Sequence, residues 1–218
     1  HVTAGSGRRG TVRRVPHPLP PITLTGTHVR LEPLSTDHVD ELVRVAAIDR
    51  STYRWTVVPG DRAAMSAYVD DLLADPRRAL PFVQRRLDTG ELVGCTRFMF
   101  PYWWRGRSEP DEVEIGGTWL AATAQRTAVN TEAKLLLLGH AFDTWGVWRV
   151  AICTDARNEQ SRRAIERIGA TFEGVLRRHR PRADVDRAAP RDTACYSVVA
   201  DKWPDIRARL RARLTGAP

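Results

Sequence analysis

The residues best suited to binding a charged ligand lie where a polar loop enters an apolar helix, in the stretch 124–142, AQRTAVNTEAKLLLLGHAF. Asn130 and Thr131 are residue types that favour helix capping, and Glu132 follows in the predicted first turn. A helix N-terminus presents unpaired backbone N–H groups and a partial positive charge, which suit a phosphate group. The leucines at 135–138 predict that the helix body is buried against a sheet. The stretch is therefore either an anion site or an ordinary capped core helix.

Other kinds of chemistry find little support in the sequence. No set of His, Cys, Asp and Glu residues has the spacing of a metal site, and no Ser, His and Asp order indicates a hydrolase. Cys95, Cys153 and Cys195 each fall in a strand-like run, which favours reduced core thiols over disulfides. No apolar run approaches the ~20 residues that span a bilayer. We therefore expect a cytoplasmic protein without a metal ion or a membrane partner.

Length and charge limit the number of domains and the kinds of ligand that the protein can bind. At 218 residues and 24.5 kDa the chain suits one domain, and its 42% hydrophobic content excludes general disorder. The net charge of +8 comes almost entirely from arginine, because Lys134 and Lys202 are the only lysines. Such a field can attract nucleic acid or a polyphosphate coenzyme. The arginines are scattered rather than clustered, which argues against nucleic acid.

The elements that must position the helix are predicted from hydrophobic periodicity and turn residues. Residues 1–21 are Gly-, Pro- and Arg-rich and predict a flexible arm, and 22–218 form a single domain. The order is strand, two helices, three strands, helix, strand, helix, two strands and helix. Asp88–Gly90 is a hairpin turn, and Gly116–Gly117 predict a bulge or a close approach of a ligand. This order predicts an α/β (α+β) domain of three layers, with a mixed, mostly antiparallel, seven-stranded sheet flanked by helices.

The last third of the chain has its own boundary signals. Asn158 is predicted to cap a helix that ends at Gly169, and Asp201 to cap the final helix. The polar stretch Arg177–Asp192 is predicted to separate the last two strands, 171–176 and 193–199.

Several strings, in order and spacing, resemble those of the GNAT superfamily of acyl-CoA-dependent N-acyltransferases, and most closely its RimJ/RimL branch. The similarity runs from about Ile22 to Leu214. The strings are Glu114-Ile115-Gly116, Gln125 to Asn130, Thr131-Glu132-Ala133-Lys134, Asn158 to Ser161, Ile168-Gly169-Ala170, Glu173 to Arg177 and Arg191-Asp192-Thr193. Known members of the branch acetylate the N-termini of ribosomal proteins.

The resemblance implies a coenzyme site at the loop before the central helix. In the family this loop binds the pyrophosphate of CoA through backbone N–H groups. The corresponding residues are Gln125, Arg126, Thr127, Ala128, Val129, Asn130 and Thr131. Two glycines of the family pattern are replaced by Arg126 and Ala128, which crowds the backbone and makes a positive φ more costly. Arg126 either pairs with a phosphate or blocks the groove.

The resemblance also implies how acyl transfer would proceed. Backbone N–H groups near Trp119 and Leu120 would contact the thioester oxygen. Glu114 is the candidate base, although a solvated strand residue is the alternative. Ser161 is the candidate acid, because the family tyrosine is replaced by Ile165, and its alternative is a local backbone contact. Asn158 corresponds to an asparagine that contacts the pantetheine arm, and it is equally suited to an N-cap.

These observations predict transfer of an acetyl group from acetyl-CoA to a primary amine in a ternary complex. The favoured acceptor is a protein N-terminus, and a small-molecule amine or a different acyl-CoA is the alternative. A module of another class, one that binds ribosome or RNA without catalysis, is also consistent with the altered loop. The pairs Tyr53–Trp55 and Trp103–Trp104 would either form a wall of an acceptor pocket or pack in a core or a homodimer.

Overall fold

Alternating apolar residues along successive strands build one sheet of eight strands in a computed structural model, which describes residues 18–183 and 189–216. The strands are β1 (Leu24–Thr25), β2 (Val29–Pro33), β3 (Ala79–Arg86), β4 (Leu92–Tyr102), β5 (Glu112–Leu120), β6 (Arg149–Asp155), β7 (Thr171–Pro181) and β8 (Pro190–Val199). The helices are α1 (Val39–Ala46), α2 (Arg62–Leu73), α3 (Ala128–Gly139), α4 (Glu159–Ile168) and α5 (Trp203–Thr215).

The sheet is mixed and mostly antiparallel, as predicted. Its strand order is β1-β2-β3-β4-β5-β6-β8-β7, and β5 and β6 form the parallel pair. The predicted count of seven strands is wrong, because it takes Ile22 to Pro33 as one strand. The sequence predicts a turn at Gly26 and a second strand segment at Val29 and Leu31 within this stretch, and the two segments form the separate strands β1 and β2. The predicted hairpin between β3 and β4 is confirmed.

The helices cover the two faces of the sheet and make three layers. One hydrophobic core lies between the sheet and α3, α4 and α5, and includes Leu137, Ile165 and Leu210. The other lies between the sheet and α1 and α2, and includes Leu42 and Met65. Adjacent strand residues supply different cores, because side chains alternate between the two faces.

Several boundaries of helices and strands differ from the predicted ones. The stretch Arg177–Asp192 is not a simple separator: β7 continues through Pro181 and β8 begins at Pro190, while 184–188 lie outside the described residues. Asp201 lies in a short 3₁₀ turn, and α5 begins after Lys202. Asn158 does cap α4, and Gly169 ends it with φ 108°.

The predicted arm, 1–21, is only partly within the described residues, which begin at 18. Leu19 is buried in the core, and its N–H donates to the carbonyl of Pro76 at 3.2 Å. The folded part therefore includes residues that we assigned to the arm. The three cysteines are free. Within the described ranges, no helix has the length and hydrophobicity needed to cross a bilayer.

Glu132 fixes α3 to the first hairpin of the sheet. Its carboxylate accepts three backbone N–H groups, from Thr27 at 2.8 Å, from His28 at 2.6 Å and from Val29 at 2.8 Å. The predicted place of Glu132 in the first turn is wrong, because the helix begins at Ala128 and has no acidic residue in that turn. Glu132 thus satisfies the N–H groups of a tight turn instead of the helix end.

Candidate functional site

The sheet opens between its two parallel strands. β5 and β6 pair only at the three residues Glu112 to Glu114, opposite Arg149 to Ala151. Beyond Glu114, β5 stays paired with β4 while β6 pairs with β8. The second half of β5 therefore presents backbone groups to a gap in the sheet. An extended ligand with amide groups can hydrogen-bond there as a strand would.

A bulge shapes this open half of β5. The β4–β5 register shifts opposite Gly116 to Trp119, and Gly117 has φ 57°. The bulge predicted at Gly116–Gly117 is thus confirmed, and its positive φ suits glycine. A Cβ atom at Gly117 would also lie 2.5 Å from the guanidinium carbon of Arg97.

Strand geometry decides which backbone donors face the gap. Ala121 donates its N–H to the carbonyl of Val93 on β4 at 2.7 Å. Because successive N–H groups of a strand point to opposite sides, the N–H of Leu120 faces the gap. By the same alternation the N–H of Trp119 is directed towards β4, so Leu120 is the better placed of the two predicted donors to the thioester. Leu120 remains a predicted donor.

The N-terminus of α3 opens beside this gap. Thr127, rather than Asn130 or Thr131, is the N-cap, and its Oγ1 accepts the N–H of Val129 at 3.3 Å. Among the described residues, this leaves the N–H groups of Ala128 and Asn130 available in the first turn, where helical partners are absent. The arrangement is suited to an anion, as predicted.

The loop before α3 is held by Gln125 and turned by Arg126. Gln125 Nε2 donates to Leu120 O at 3.0 Å and to Thr52 Oγ1 at 2.8 Å. Arg126 has φ 60°, the left-handed conformation that glycine adopts most easily. Ala128 lies in the helix and has no positive φ. Of the two positions where the family pattern has glycine, the expected backbone strain therefore arises at 126 and not at 128. The Arg126 side chain is exposed and lines neither cavity of the cleft, so it does not block them.

The gap continues into a cavity of about 400 Å³, with a smaller one of about 180 Å³ beside it. Of the predicted site residues, Glu114 and Asn130 line the larger cavity, Trp119, Leu120 and Gln125 line the smaller one, and Asn158 and Ser161 line both. The remaining ones, Arg126, Thr127, Ala128, Val129 and Thr131, line neither; the side chain of Val129 is buried in the core.

α4 presents its first turn to the same cleft. Asn158 caps it with Oδ1, which accepts the N–H of Ser161 at 3.0 Å. Asn158 is therefore the N-cap of α4 and also lies in the cavity, so its predicted role as a cap is compatible with its predicted contact with a pantetheine arm. The Ser161 hydroxyl group lies one turn along, where it can reach a group in the cleft.

Glu114 is buried and paired, so the alternative of a solvated strand residue is wrong. Its side chain is 7% exposed, and Oε1 and Oε2 accept hydrogen bonds from Arg180 at 2.8 and 2.6 Å. The guanidinium group therefore occupies both oxygens of the carboxylate, and a substrate would have to compete with Arg180 for either of them. Arg180 comes from β7, and its side chain lines the cavity with Glu114.

Four basic side chains of the cavity were not predicted: Arg97, Lys134, Arg180 and Arg191. Lys134 could have been found, because it lies four residues after Asn130 and therefore on the same face of α3. Burial lowers the pKa of Lys134 from 10.5 to about 7. Burial also lowers the pKa of Arg191. No group of three His, Cys, Asp or Glu side chains that could hold a metal was found in the described part of the chain.

The two aromatic pairs have different positions. Tyr53 and Trp55 line the cleft. Trp104 lies outside it, stacked at 5.5 Å on Tyr102 and at 6.4 Å on Trp148. The first pair is therefore placed as an acceptor-pocket wall would be, and Trp104 is not.

A split parallel strand pair, a bulge and an open helix N-terminus together define an acyltransferase fold, and comparison with known proteins agrees. The model of the Acetyltransferase (GNAT) domain family matches residues 28–171, and the chain belongs to this family. It is an acetyltransferase by family. None of the curated proteins compared with the chain matches it.

Solved structures give the same assignment. A candidate acetyltransferase from T. thermophilus is 35% identical, over 90% of this chain and 98% of that chain, with a TM-score of 0.77. A GCN5-related N-acetyltransferase from Brucella melitensis is 28% identical, over 91% and 87%, with a TM-score of 0.78. RimJ of Mycobacterium smegmatis, in complex with CoA-disulfide, is 22% identical over 88% and 95%, with a TM-score of 0.73, and shares the fold.

Proposed function

We propose that this acetyltransferase moves an acetyl group from acetyl-CoA to a primary amine while both substrates are bound. The observation that carries the proposal is the unpaired half of β5, which lies beside the open N-terminus of α3. The helix end supplies N–H donors for a pyrophosphate, and the strand supplies donors and acceptors for the amide groups of a pantetheine arm. Gln125 to Thr131, Leu120 and Asn158 are the residues that we assign to the coenzyme.

The chemistry needs a stabilised carbonyl oxygen and a proton for the departing thiolate. We assign the first to the N–H of Leu120 and the second to the hydroxyl group of Ser161, which lines both cavities. Glu114 stays a candidate base, although Arg180 occupies its oxygens. Exchange of Glu114 for Gln tests this role, since an unchanged pH–rate profile would exclude it.

The acceptor that we favour is the N-terminal amine of a protein, as expected for the RimJ/RimL branch. The fold shared with RimJ supports this choice. We also propose a cytoplasmic location, in which the three free thiols remain reduced, and a homodimer is the assembly to test by sedimentation.

Calorimetry with acetyl-CoA tests the coenzyme site. Asn130→Asp places a carboxylate in the first turn of α3, where it favours the helix but repels a phosphate. We expect its dissociation constant to rise by about 10-fold or more, which is about 1.4 kcal/mol. The matched control, Ala63→Asp, adds an acid to the first turn of α2, outside the cavities, and should bind as the original protein does. Equal binding by both variants would place the pyrophosphate elsewhere.

A free-thiol assay then compares acceptors. Tetrapeptide amides that begin with serine or alanine represent protein N-termini, and phenethylamine represents small amines. Higher kcat/KM for a peptide supports the favoured acceptor, whereas preference for the amine supports the small-molecule alternative. Salt-sensitive RNA binding in the absence of any acetyl-CoA binding would instead indicate the non-catalytic module.

A further inference from the structure

Lys134 is a buried amine that the chemistry described above leaves without a role. Its side chain is directed from α3 under β5, and the residue is 5% exposed. Nζ lies 2.7 Å from Thr118 Oγ1 and 3.4 Å from Thr96 Oγ1, and the two hydroxyl groups lie 2.9 Å apart. Among the described residues, no carboxylate lies within ion-pair distance of Nζ. A buried ammonium without a carboxylate partner is costly, so burial shifts the equilibrium towards the neutral amine.

Thr118 connects this amine to the reaction cleft. It lies in the unpaired half of β5, directly after Gly117 of the bulge, and it lines both cavities. Leu120, the proposed donor to the thioester oxygen, is two residues further along the strand. Thr118 therefore contacts Lys134 through its hydroxyl group and also forms part of the wall of the cleft.

We propose that Lys134 accepts the proton of the acceptor ammonium through the hydroxyl group of Thr118. The inference rests on the proposed acetyl transfer. The ammonium gives a proton to Thr118 Oγ1 while Thr118 passes its own proton to Lys134 Nζ. The neutral amine attacks the thioester carbonyl, a C–N bond forms and the C–S bond breaks. The Ser161 hydroxyl group gives its proton to the departing thiolate and takes up the second proton of the amine, and Lys134 returns its proton to solvent through Thr118 after the products leave.

The other groups of the cavity are poorly suited to this task. The charged and titratable side chains that line it with Lys134 are Tyr68, Arg97, Glu114, Cys153, Arg180 and Arg191. Burial raises the pKa of Tyr68 to about 12 and that of Cys153 further, so both keep their protons near neutral pH. The three arginines carry no free lone pair, and one of them holds Glu114.

The lowered pKa of Lys134 suits a group that must accept a proton near neutral pH. With its pKa lowered to about 7, about half of the amine is neutral at neutral pH and can take up a proton. General bases work best when their pKa lies near the operating pH. A lysine whose pKa is lowered by burial is a recognised type of base.

The two lysines of the chain make a direct titration practical. Lysine labelled at Cε with carbon-13 gives one signal each for Lys134 and Lys202, and Lys134→Met identifies the first by its loss. We expect the Lys134 signal to titrate with a midpoint within about one unit of neutrality, in the free protein and with acetyl-CoA bound. A midpoint above about pH 9 would overturn the proposal whether or not an acceptor has been found.

Kinetics with the best peptide or amine of the acceptor panel give the second readout. Lys134→Met should lower kcat by about 100-fold or more and remove the acidic limb of the pH–rate profile. Thr118→Val should lower kcat and remove the acidic limb in the same way, whereas Thr118→Ser keeps the hydroxyl group and should retain activity. Lys202→Met is the matched control for the loss of a lysine. Unchanged acetyl-CoA affinity in each variant, together with a melting temperature no lower than that of the original protein, excludes a folding defect.

The outcomes separate the two proposals. Wild-type protein that does not bind acetyl-CoA refutes the proposed function itself. Normal binding together with an unaltered profile in Lys134→Met refutes only the role of Lys134. Stable acetylation of Lys134 by acetyl-CoA, detected by mass spectrometry, also overturns it, because an amide nitrogen cannot accept the proton.

Discussion

The buried amine of Lys134 makes the stability of the fold depend on pH. In the unfolded chain its pKa returns to 10.5, while in the folded protein it is about 7. Between these values the unfolded chain binds more protons, so the free energy of unfolding rises with pH. The whole effect is about 3.5 units of pKa, or about 5 kcal/mol, gained as the pH rises from about 7 to about 10.5. Below pH ~7 both states are protonated and the full penalty remains.

Lys134→Met isolates this contribution, because methionine has a similar length and cannot titrate. From about pH 6 to about pH 9, the original protein should gain about 3 kcal/mol relative to the variant, from about two units of differential protonation. Urea unfolding at the two pH values measures both proteins. Groups that titrate in both proteins cancel in the difference.

Lys202→Met is the control, since residue 202 is exposed. Its stability should follow that of the original protein at both pH values. If the difference between the original protein and Lys134→Met changes by less than about 0.5 kcal/mol across the range, Lys134 is charged in the folded state. The interpretation of the amine as neutral would then be wrong.

Three further substitutions test the anchor, the sheet and the acid. Glu132→Gln places an amide donor against the backbone N–H donors of the first hairpin and should destabilise the fold by about 2 kcal/mol in urea unfolding. Exposed Glu91→Gln should leave the stability unchanged. If Glu132→Gln is as stable as the original protein, Glu132 does not fix α3 to the hairpin. Gly94→Ala places a Cβ 2.0 Å from a backbone carbonyl of β5 and should cost about 3 kcal/mol or more, whereas Gly60→Ala, whose nearest atom is 3.5 Å away, should melt normally. Ser161→Ala should bind acetyl-CoA normally and lose turnover by about 10-fold or more in the free-thiol assay; full turnover removes it from the mechanism.

The parts of the fold that local signals determine were predictable from sequence. Asp88–Gly90 marks the hairpin, and the cap Asn158 and the terminal Gly169 bound α4 at both ends. β7 was predicted too short because it is an edge strand, where Arg177 to Pro181 carry no apolar alternation. The strand count was too low by one because β1 has only two residues and was counted together with β2, although the turn at Gly26 between them was predicted.

The candidate site was predictable where it is made of consecutive backbone groups, as in the loop from Gln125 into α3. It was not predictable where it depends on long-range packing. Arg180 reaches Glu114 across 66 positions, and no local pattern indicates such a pair. The environment of Lys134 is set by Thr96 and Thr118 on two strands, so its burial becomes visible only in the folded chain.

The short contact between β5 and β6 divides the sheet into a wing of five strands and a wing of three, joined along this seam by three residue pairs. A seam with so few backbone bonds has little intrinsic resistance to local opening. A coenzyme whose amide groups hydrogen-bond to both β5 and β6 would stabilise the contact between the two wings. Amide hydrogen exchange along the facing edges of β5 and β6 should therefore slow on binding, far more than in the hairpin of β3 and β4.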